Sequence, residues 1–156
     1  MSVTSATELK LISEFSNSEI QAVGNLETEI KFGSIEIRKA IKVMIKSNMS
    51  NVEIEELLEE GDFKAKYGSL EIKNVKNTMT RLVIDGEFSP IDIDIEEGAS
   101  FNARLRSSMA KLKVPDLDWK KEEKEMNSAY YEGSFGQSSD NKLWITTSFG
   151  TVKLDF

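Results

Sequence analysis

Two nearly identical stretches decide the fold of this chain: KFGSIEI at 31–37 and KYGSLEI at 66–72. Each places a large aromatic residue directly before a glycine and then alternates polar and apolar residues. The same pairing of a large residue with a small one recurs at Phe15-Ser16, Phe32-Gly33, Met49-Ser50, Tyr67-Gly68, Phe88-Ser89, Met109-Ala110, Phe135-Gly136 and Phe149-Gly150. We call the large residue of each pair the anchor. Such internal recurrence indicates a repeat protein.

The apolar residues around each anchor recur with a period of two, which is typical of a strand with one buried face. The alternation changes phase at the anchor, so two short strands meet there at a corner. A unit this short cannot bury its apolar face alone, whereas stacked units share one core. The pattern therefore predicts an all-β, single-stranded parallel β-helix, a right-handed β-solenoid of about seven to eight short rungs that forms one domain over residues 1–156.

The corners carry two more detailed expectations. We expect the aromatic anchors to be buried in one inward-facing stack, formed by Phe32, Tyr67, Phe88 and Phe149. The position after the anchor is glycine, serine or alanine, so we expect it to require room more than an unusual backbone dihedral angle.

One segment departs from the repeat: PDLDWKKEEKEMNSAYYEG at 115–133 is long, highly charged and rich in aromatic residues. It is predicted to be an insertion, either a lengthened loop or a short helix over DWKKEEKEM, that covers the core near the C-terminal end. The alternative is a ligand-contacting loop, in which Trp119, Tyr130 and Tyr131 would touch the ligand.

The composition excludes several kinds of site. The chain has no cysteine and no histidine, so thiol nucleophiles, thiolate zinc sites and histidine bases are absent. A net charge of −7 disfavours nucleic acid and anionic membranes as partners. No apolar run is long enough to predict membrane insertion. The first residues lack the features of a signal peptide. No catalytic residue, cofactor site or definite metal site is predicted.

A column of carboxylates is the strongest chemical pattern. If the rungs stack in register, five outward-facing acidic residues become neighbours about 5 Å apart and repel one another. The residues are Glu19, Glu36, Glu53, Glu71 and Asp92, with Lys113 and Lys153 at the same repeat position. Three interpretations stay open: a solvated face neutralised by nearby lysine and arginine, a weak candidate site for calcium with oxygen ligands, or a contact surface for a basic partner.

The repeat also resembles a known family. The YG-containing units, the stretch LVIDGEFSPIDIDI at 82–95 and the ending YEGSFGQSS followed by LWITTSFGTVKL are similar to the β-strand-repeat, adhesin-type domains of secreted Bacteroidetes proteins. The resemblance covers nearly the whole chain and corresponds to the C-terminal part of such a protein. It implies a β-helical fold and an extracytoplasmic location in the periplasm, at the outer-membrane surface or outside the cell. The family has no agreed biochemical role and offers no catalytic residues to compare.

These observations favour a non-enzymatic cell-surface scaffold, an adhesin-like protein that binds a protein or a glycan. Two alternatives remain: an enzyme that acts on polysaccharides from a β-helix scaffold, and a module in envelope signalling. The insertion can cover the last rung, whereas the unpaired edge of the first rung predicts that copies of the chain pair end to end as a homo-oligomer.

Overall fold

The computed structural model describes residues 1–156 and confirms the all-β prediction. The chain forms a β-solenoid of about five turns, where seven to eight rungs were expected, and its 14 strands belong to one curled, mainly parallel sheet. The strands are β1 (Ser2–Val3), β2 (Ala6–Glu14), β3 (Asn17–Lys31), β4 (Ser34–Asn48), β5 (Asn51–Lys66), β6 (Ser69–Val75), β7 (Arg81–Glu87), β8 (Pro90–Ile95), β9 (Phe101–Ser108), β10 (Lys111–Lys113), β11 (Lys121–Lys124), β12 (Ser128–Phe135), β13 (Lys142–Ser148) and β14 (Thr151–Asp155).

Equivalent positions of successive turns lie side by side, as the repeat predicts. Ile37, Ile54 and Ile72 are register partners in β4, β5 and β6. On the other side of the corner, Ile45 lies beside Phe63. All five side chains are almost completely buried in one core between the two faces of the curled sheet. Because like residues stack on like residues, each turn buries the apolar face that the next turn would otherwise leave exposed.

The anchors lie outside the core, so the prediction that they are buried was wrong. Phe32, Tyr67, Phe88 and Phe149 expose 42–49% of their surface. The reason is a backbone dihedral angle that period-two reasoning did not include. Seven anchors adopt the left-handed conformation, with φ between 50° and 55°, which turns the side chain outward: Phe15, Phe32, Met49, Tyr67, Phe88, Met109 and Phe149.

The outward anchors form a ladder along the corner of the solenoid. The rings of Tyr67, Phe88 and Phe149 lie parallel, with centroids 5.0 and 4.7 Å apart, and Phe15 stacks on Phe32 at 4.9 Å. The left-handed conformation is unfavourable for any residue with a Cβ atom. Ring stacking and partial burial offset that cost. The anchor N–H groups still donate to the next layer, as in the 2.9 Å bond from Phe88 N to Ser148 O.

The small residue after each anchor points inward, and the expectation that it needs room is confirmed. At Gly150 an added Cβ atom would lie 2.5 Å from Ser89 O, in the adjacent layer, although φ at Gly150 is not positive. Glycine and serine alternate from layer to layer. Gly68 N donates to the buried hydroxyl of Ser89 at 3.3 Å, and Gly33 N donates to Ser50 Oγ at 3.3 Å. Each serine therefore occupies space that the neighbouring glycine leaves free.

The last layers do not follow chain order. On the side of the corner before the anchors, β7 pairs with β13, and β13 pairs with β9. On the other side, β8 pairs with β14, and β14 pairs with β10. The segment 142–155 therefore lies between two layers that precede it in the sequence.

The two ends of the stack differ. At the N-terminal end, β1 and β2 each pair only with β3, so their outer edges are unpaired. At the C-terminal end, the insertion forms an antiparallel hairpin of β11 and β12, and β12 pairs antiparallel with β9. The short helix considered for DWKKEEKEM does not form, and Lys121–Lys124 within this stretch pair as strand β11. The anchor-like pair Phe135-Gly136 ends strand β12 and makes no corner of the ladder.

Candidate functional site

The acidic column forms in the register that the sequence predicts. Glu19 to Asp92 are successive register partners through β3, β4, β5, β6 and β8. Lys153 follows next to Asp92, with Nζ 3.8 Å from Oδ1, and Lys113 lies beside Lys153. The out-of-order turn thus places positive charge at the end of the column.

Neighbouring side chains neutralise part of this column. Lys73 Nζ donates to a carboxylate oxygen of Glu53, and this bond is the main reason that the pKa of Lys73 is raised. Gln21 Nε2 donates to Glu19 Oε1 at 2.6 Å. No group of three or more carboxylates comes close enough together to hold a metal ion. The solvated-face interpretation therefore has direct contacts in its favour, and the calcium interpretation stays a prediction.

The predicted contact loop separates into structural and exposed members. Trp119 packs edge-on against Tyr131 at 5.2 Å and against Phe135 at 4.9 Å, and its Nε1–H donates to Pro115 O at 3.1 Å. Tyr131 is buried in the core, and Phe156 packs against Trp119 and Phe135. These contacts close the C-terminal end of the core, as the loop interpretation expected. Tyr130, in contrast, lies on the outer face.

The outer face near Tyr130 carries a cluster that the sequence reasoning missed. We name it the basic–aromatic surface and define it as Arg104, Arg106, Lys120, Lys142 and Trp144, with Tyr130 at its border. The register builds it: Trp144 of β13 is the partner of Arg104 of β9, and Arg106 is the partner of Tyr130 in β12. Asn102, Glu132, Ser134 and Asp140 also line a cleft of about 420 Å³ beside Arg104 and Trp144, and Glu132 is the register partner of Arg104 in β12.

Aromatic rings hold the cations of this surface in place. The Arg104 guanidinium lies over the Trp144 ring, 5.3 Å from its centroid, and Lys142 Nζ lies 5.0 Å from the same centroid. Arg106 lies 5.5 Å from the centroid of Tyr130. Such contacts restrict a guanidinium while leaving its N–H groups free to meet a ligand.

Arg104, Arg106, Lys120 and Lys142 also lack a carboxylate partner within 4.0 Å, unlike most cations of this acidic protein. The chain has four arginines, and the other two form ion pairs: Arg38 Nε lies 3.8 Å from Glu55, and Arg81 lies 3.5 Å from Asp62. Unpaired guanidinium groups on one strand leave charge available for an external anion.

The carboxylate of Glu132, beside this surface, is held in its ionised form. Tyr130 Oη donates to Glu132 Oε2 at 2.6 Å, which lowers the pKa of Glu132, and the positive charge of Arg104 and Lys120 lowers it further. The same hydrogen bond raises the pKa of Tyr130. The hydrogen bond from Tyr130 is the main cause of the shift at Glu132, and the nearby cations add to it.

The sequence held one signal for this surface. Arg104 and Arg106 alternate with buried Ala103, Leu105 and Ser107, so their outward direction could be predicted. Trp144 stands 40 positions later, and only the out-of-order turn brings it beside Arg104.

No protein-family model, curated protein or solved structure matches this chain. None of its secondary-structure elements is a helix that could cross a membrane.

Proposed function

We propose that the protein is a non-enzymatic, extracytoplasmic binding scaffold that holds an anionic glycan on the basic–aromatic surface. The observation that carries the proposal is the stacked arrangement of Arg104, Lys142 and Trp144, in which two cations without carboxylate partners flank an indole that is 36% exposed. The extracytoplasmic location is supported by the family resemblance of the repeat.

The chemistry of the surface suits a sugar that carries carboxylate or sulfate groups. A guanidinium presents a planar fork of N–H donors that matches the oxygens of such groups, and a lysine adds a second positive charge. Aromatic rings provide an apolar contact for the C–H groups of a sugar ring. The surface also lies on a rigid sheet, so the entropy cost of ordering its side chains and backbone on binding is small.

Charge distribution favours a short anionic segment over nucleic acid. The cations lie together on β9, β13 and the insertion, whereas the acidic column occupies the other side of the corner. A nucleic acid carries a charge at every nucleotide and gains affinity from many phosphate contacts. A glycan with spaced charges can place them on Arg104, Arg106 and Lys142 without extending over the acidic column.

The ionisation of Glu132 bears on whether the basic–aromatic surface contains a general acid. A polysaccharide hydrolase requires one carboxylic acid whose pKa is raised so that it can protonate the leaving oxygen. The pKa of Glu132 is shifted in the opposite direction by Tyr130 and Arg104. Glu132 therefore does not meet this requirement on the basic–aromatic surface.

Titration with defined oligosaccharides tests the proposal. We expect carboxylated or sulfated oligosaccharides to bind and their neutral counterparts not to bind, with tryptophan fluorescence as the readout. The double variant Arg104→Gln with Lys142→Gln should weaken binding at least tenfold, since each charge-assisted contact contributes about 1.5–3 kcal/mol. Trp144→Phe should remove the fluorescence change and thereby assign it.

A matched control separates the site from general charge. Lys46 and Lys64 are register partners on the same face, exposed and without carboxylate partners, but no aromatic ring lies beside them. Lys46→Gln with Lys64→Gln makes the same change in net charge and should leave the affinity within about twofold. Equal weakening by both double variants, or no binding of any acidic oligosaccharide, would overturn the proposal. Tighter binding of a single-stranded oligonucleotide would identify a different class of ligand.

A further inference from the structure

The segment 142–155, which we call the inserted turn, occupies an internal layer of the stack although it comes last in the sequence. Its first strand, β13, pairs along its whole length with both β7 and β9. Its second strand, β14, pairs with both β8 and β10. The inserted turn is therefore held on both sides by parallel ladders.

The strands that precede the inserted turn in the sequence leave one layer between them, which we call the vacant layer. Strands β8 and β9 are joined by residues 96–100, yet β9 lies two layers away from β7. Two layers span roughly 10 Å, which five extended residues can cover. Until the inserted turn enters, the edges of β7 and β8 on one side and of β9 and β10 on the other have no strand partner. Unpaired parallel edges of this kind accept an added strand.

The connection to the inserted turn, residues 136–141, crosses the start of β9 in a confined path. Gly136 has a φ of 73°, and an added Cβ atom would lie 2.7 Å from Ala99 O. Asn141 Nδ2 donates to Ser100 O at 2.9 Å, which pins the end of the connection. Ser139 Oγ is buried there without a hydrogen-bond partner. If the connection opened, water could form a hydrogen bond with the Ser139 hydroxyl. That bond would offset part of the free energy lost when the local contacts break.

We propose that two copies of the chain exchange their inserted turns, each filling the vacant layer of the other. The contacts that hold the turn are the same whether it comes from its own chain or from a second copy, so only the connection differs. In the exchanged dimer, Trp144 and Lys142 of one copy lie beside Arg104 of the other. Each copy then completes the basic–aromatic surface of its neighbour. The exchange itself rests on the topology and does not depend on the glycan proposal.

Cysteine cross-linking tests the exchange directly, because the natural chain has no cysteine. Asp85 of β7 and Thr146 of β13 are outward-facing register partners. The variants Asp85→Cys and Thr146→Cys are unfolded separately, mixed in equal amounts and refolded at high protein concentration with a short thiol–thiol cross-linker. We expect a covalent dimer in the mixture and none with either variant alone. End-to-end pairing of copies would give no such cross-link.

One further measurement makes a negative result decisive. The double variant, with both cysteines in one chain, should cross-link within the chain when refolded at low concentration, which verifies the geometry. The absence of a covalent dimer in a mixture whose double-variant control cross-links would overturn the exchange.

Discussion

Replacing Phe88 tests the outward ladder of anchors. The structure predicts that Phe88→Gly lowers the free energy of unfolding less than Phe88→Ala does, the reverse of the usual order in a strand. Phe88 has a φ of 51°, exposes 42% of its surface and stacks between Tyr67 and Phe149. About 100 Å² of its surface is then buried, out of the 150–250 Å² that a phenylalanine can bury. At about 25 cal/mol per Å², Phe88→Ala should lower the free energy of unfolding by about 2–3 kcal/mol.

Glycine should be better tolerated than alanine at this position. Alanine keeps the strain of the left-handed conformation, about 1–2 kcal/mol, whereas glycine removes it. The greater conformational freedom of glycine in the unfolded chain reduces this gain by about 0.5–1 kcal/mol. Phe88→Gly is therefore expected to be more stable than Phe88→Ala by about 0.5–1 kcal/mol.

The free energies are obtained from urea unfolding curves followed by circular dichroism. Asp85 provides the control, since it is exposed and lies in the regular strand β7, where glycine should be worse than alanine. Phe63 provides the scale, because its side chain is buried and Phe63→Ala should cost about 3–5 kcal/mol. A Phe88→Gly variant that is less stable than Phe88→Ala, or a cost for Phe88→Ala that equals that for Phe63→Ala, would refute the reasoning.

Two other predictions concern charge. Because neighbouring carboxylates of the acidic column repel, Glu53→Gln with Glu71→Gln should leave the melting temperature unchanged or raise it. If millimolar calcium raises the melting temperature of the natural chain and this double variant abolishes that rise, the calcium interpretation is established instead. Partial desolvation, followed by repulsion from Asp92, raises the pKa of Asp94. The unfolded chain therefore ionises this carboxyl at lower pH than the folded chain does, and stability is lost as the pH rises between the two values. Asp94→Asn should raise the melting temperature at pH 7 and not at pH 3, and a gain that is equal at both pH values would contradict this assignment.

Much of the fold could be predicted because stacking repeats one local pattern. Period-two alternation defines which residues of a strand face inward, and the register then follows once each turn has the same length. The acidic column illustrates this, since the partners of Glu36 and Glu53 follow from the repeat alone. The preference for a small residue at the corner could also be predicted, because a Cβ atom added at the glycine corners would lie against the backbone of the neighbouring layer.

The direction of the anchors could not be predicted from the same pattern. Large aromatic residues rarely adopt a positive φ, so the expectation that Phe32 and Tyr67 would point inward follows the usual preference. In this protein the stacking of identical corners stabilises the rare conformation in every turn. This stabilisation comes from contacts between turns, so the sequence of a single turn does not reveal it.

The order of the last layers escaped prediction for a different reason. Local patterning shows that 142–155 is one more repeat unit, but every unit offers the same ladder to its neighbours. Because all units share one pattern, the local sequence does not specify which layer each unit occupies. The change of order is made by the connections 96–100 and 136–141, because the first skips a layer and the second leads back to it.

The inserted turn links the features of this molecule that have a chemical role. It places Phe149 between Phe88 and Met109 in the anchor ladder and Lys153 beside Asp92 in the acidic column. It also supplies Trp144 to the basic–aromatic surface. A change confined to this segment should therefore alter the ladder, the column and the surface together. A solenoid that grew only in chain order would add each of these features one layer at a time, and loss of its last turn would leave the others intact. Because this turn lies inside the stack, its entry is the step that completes both the core and the proposed binding surface.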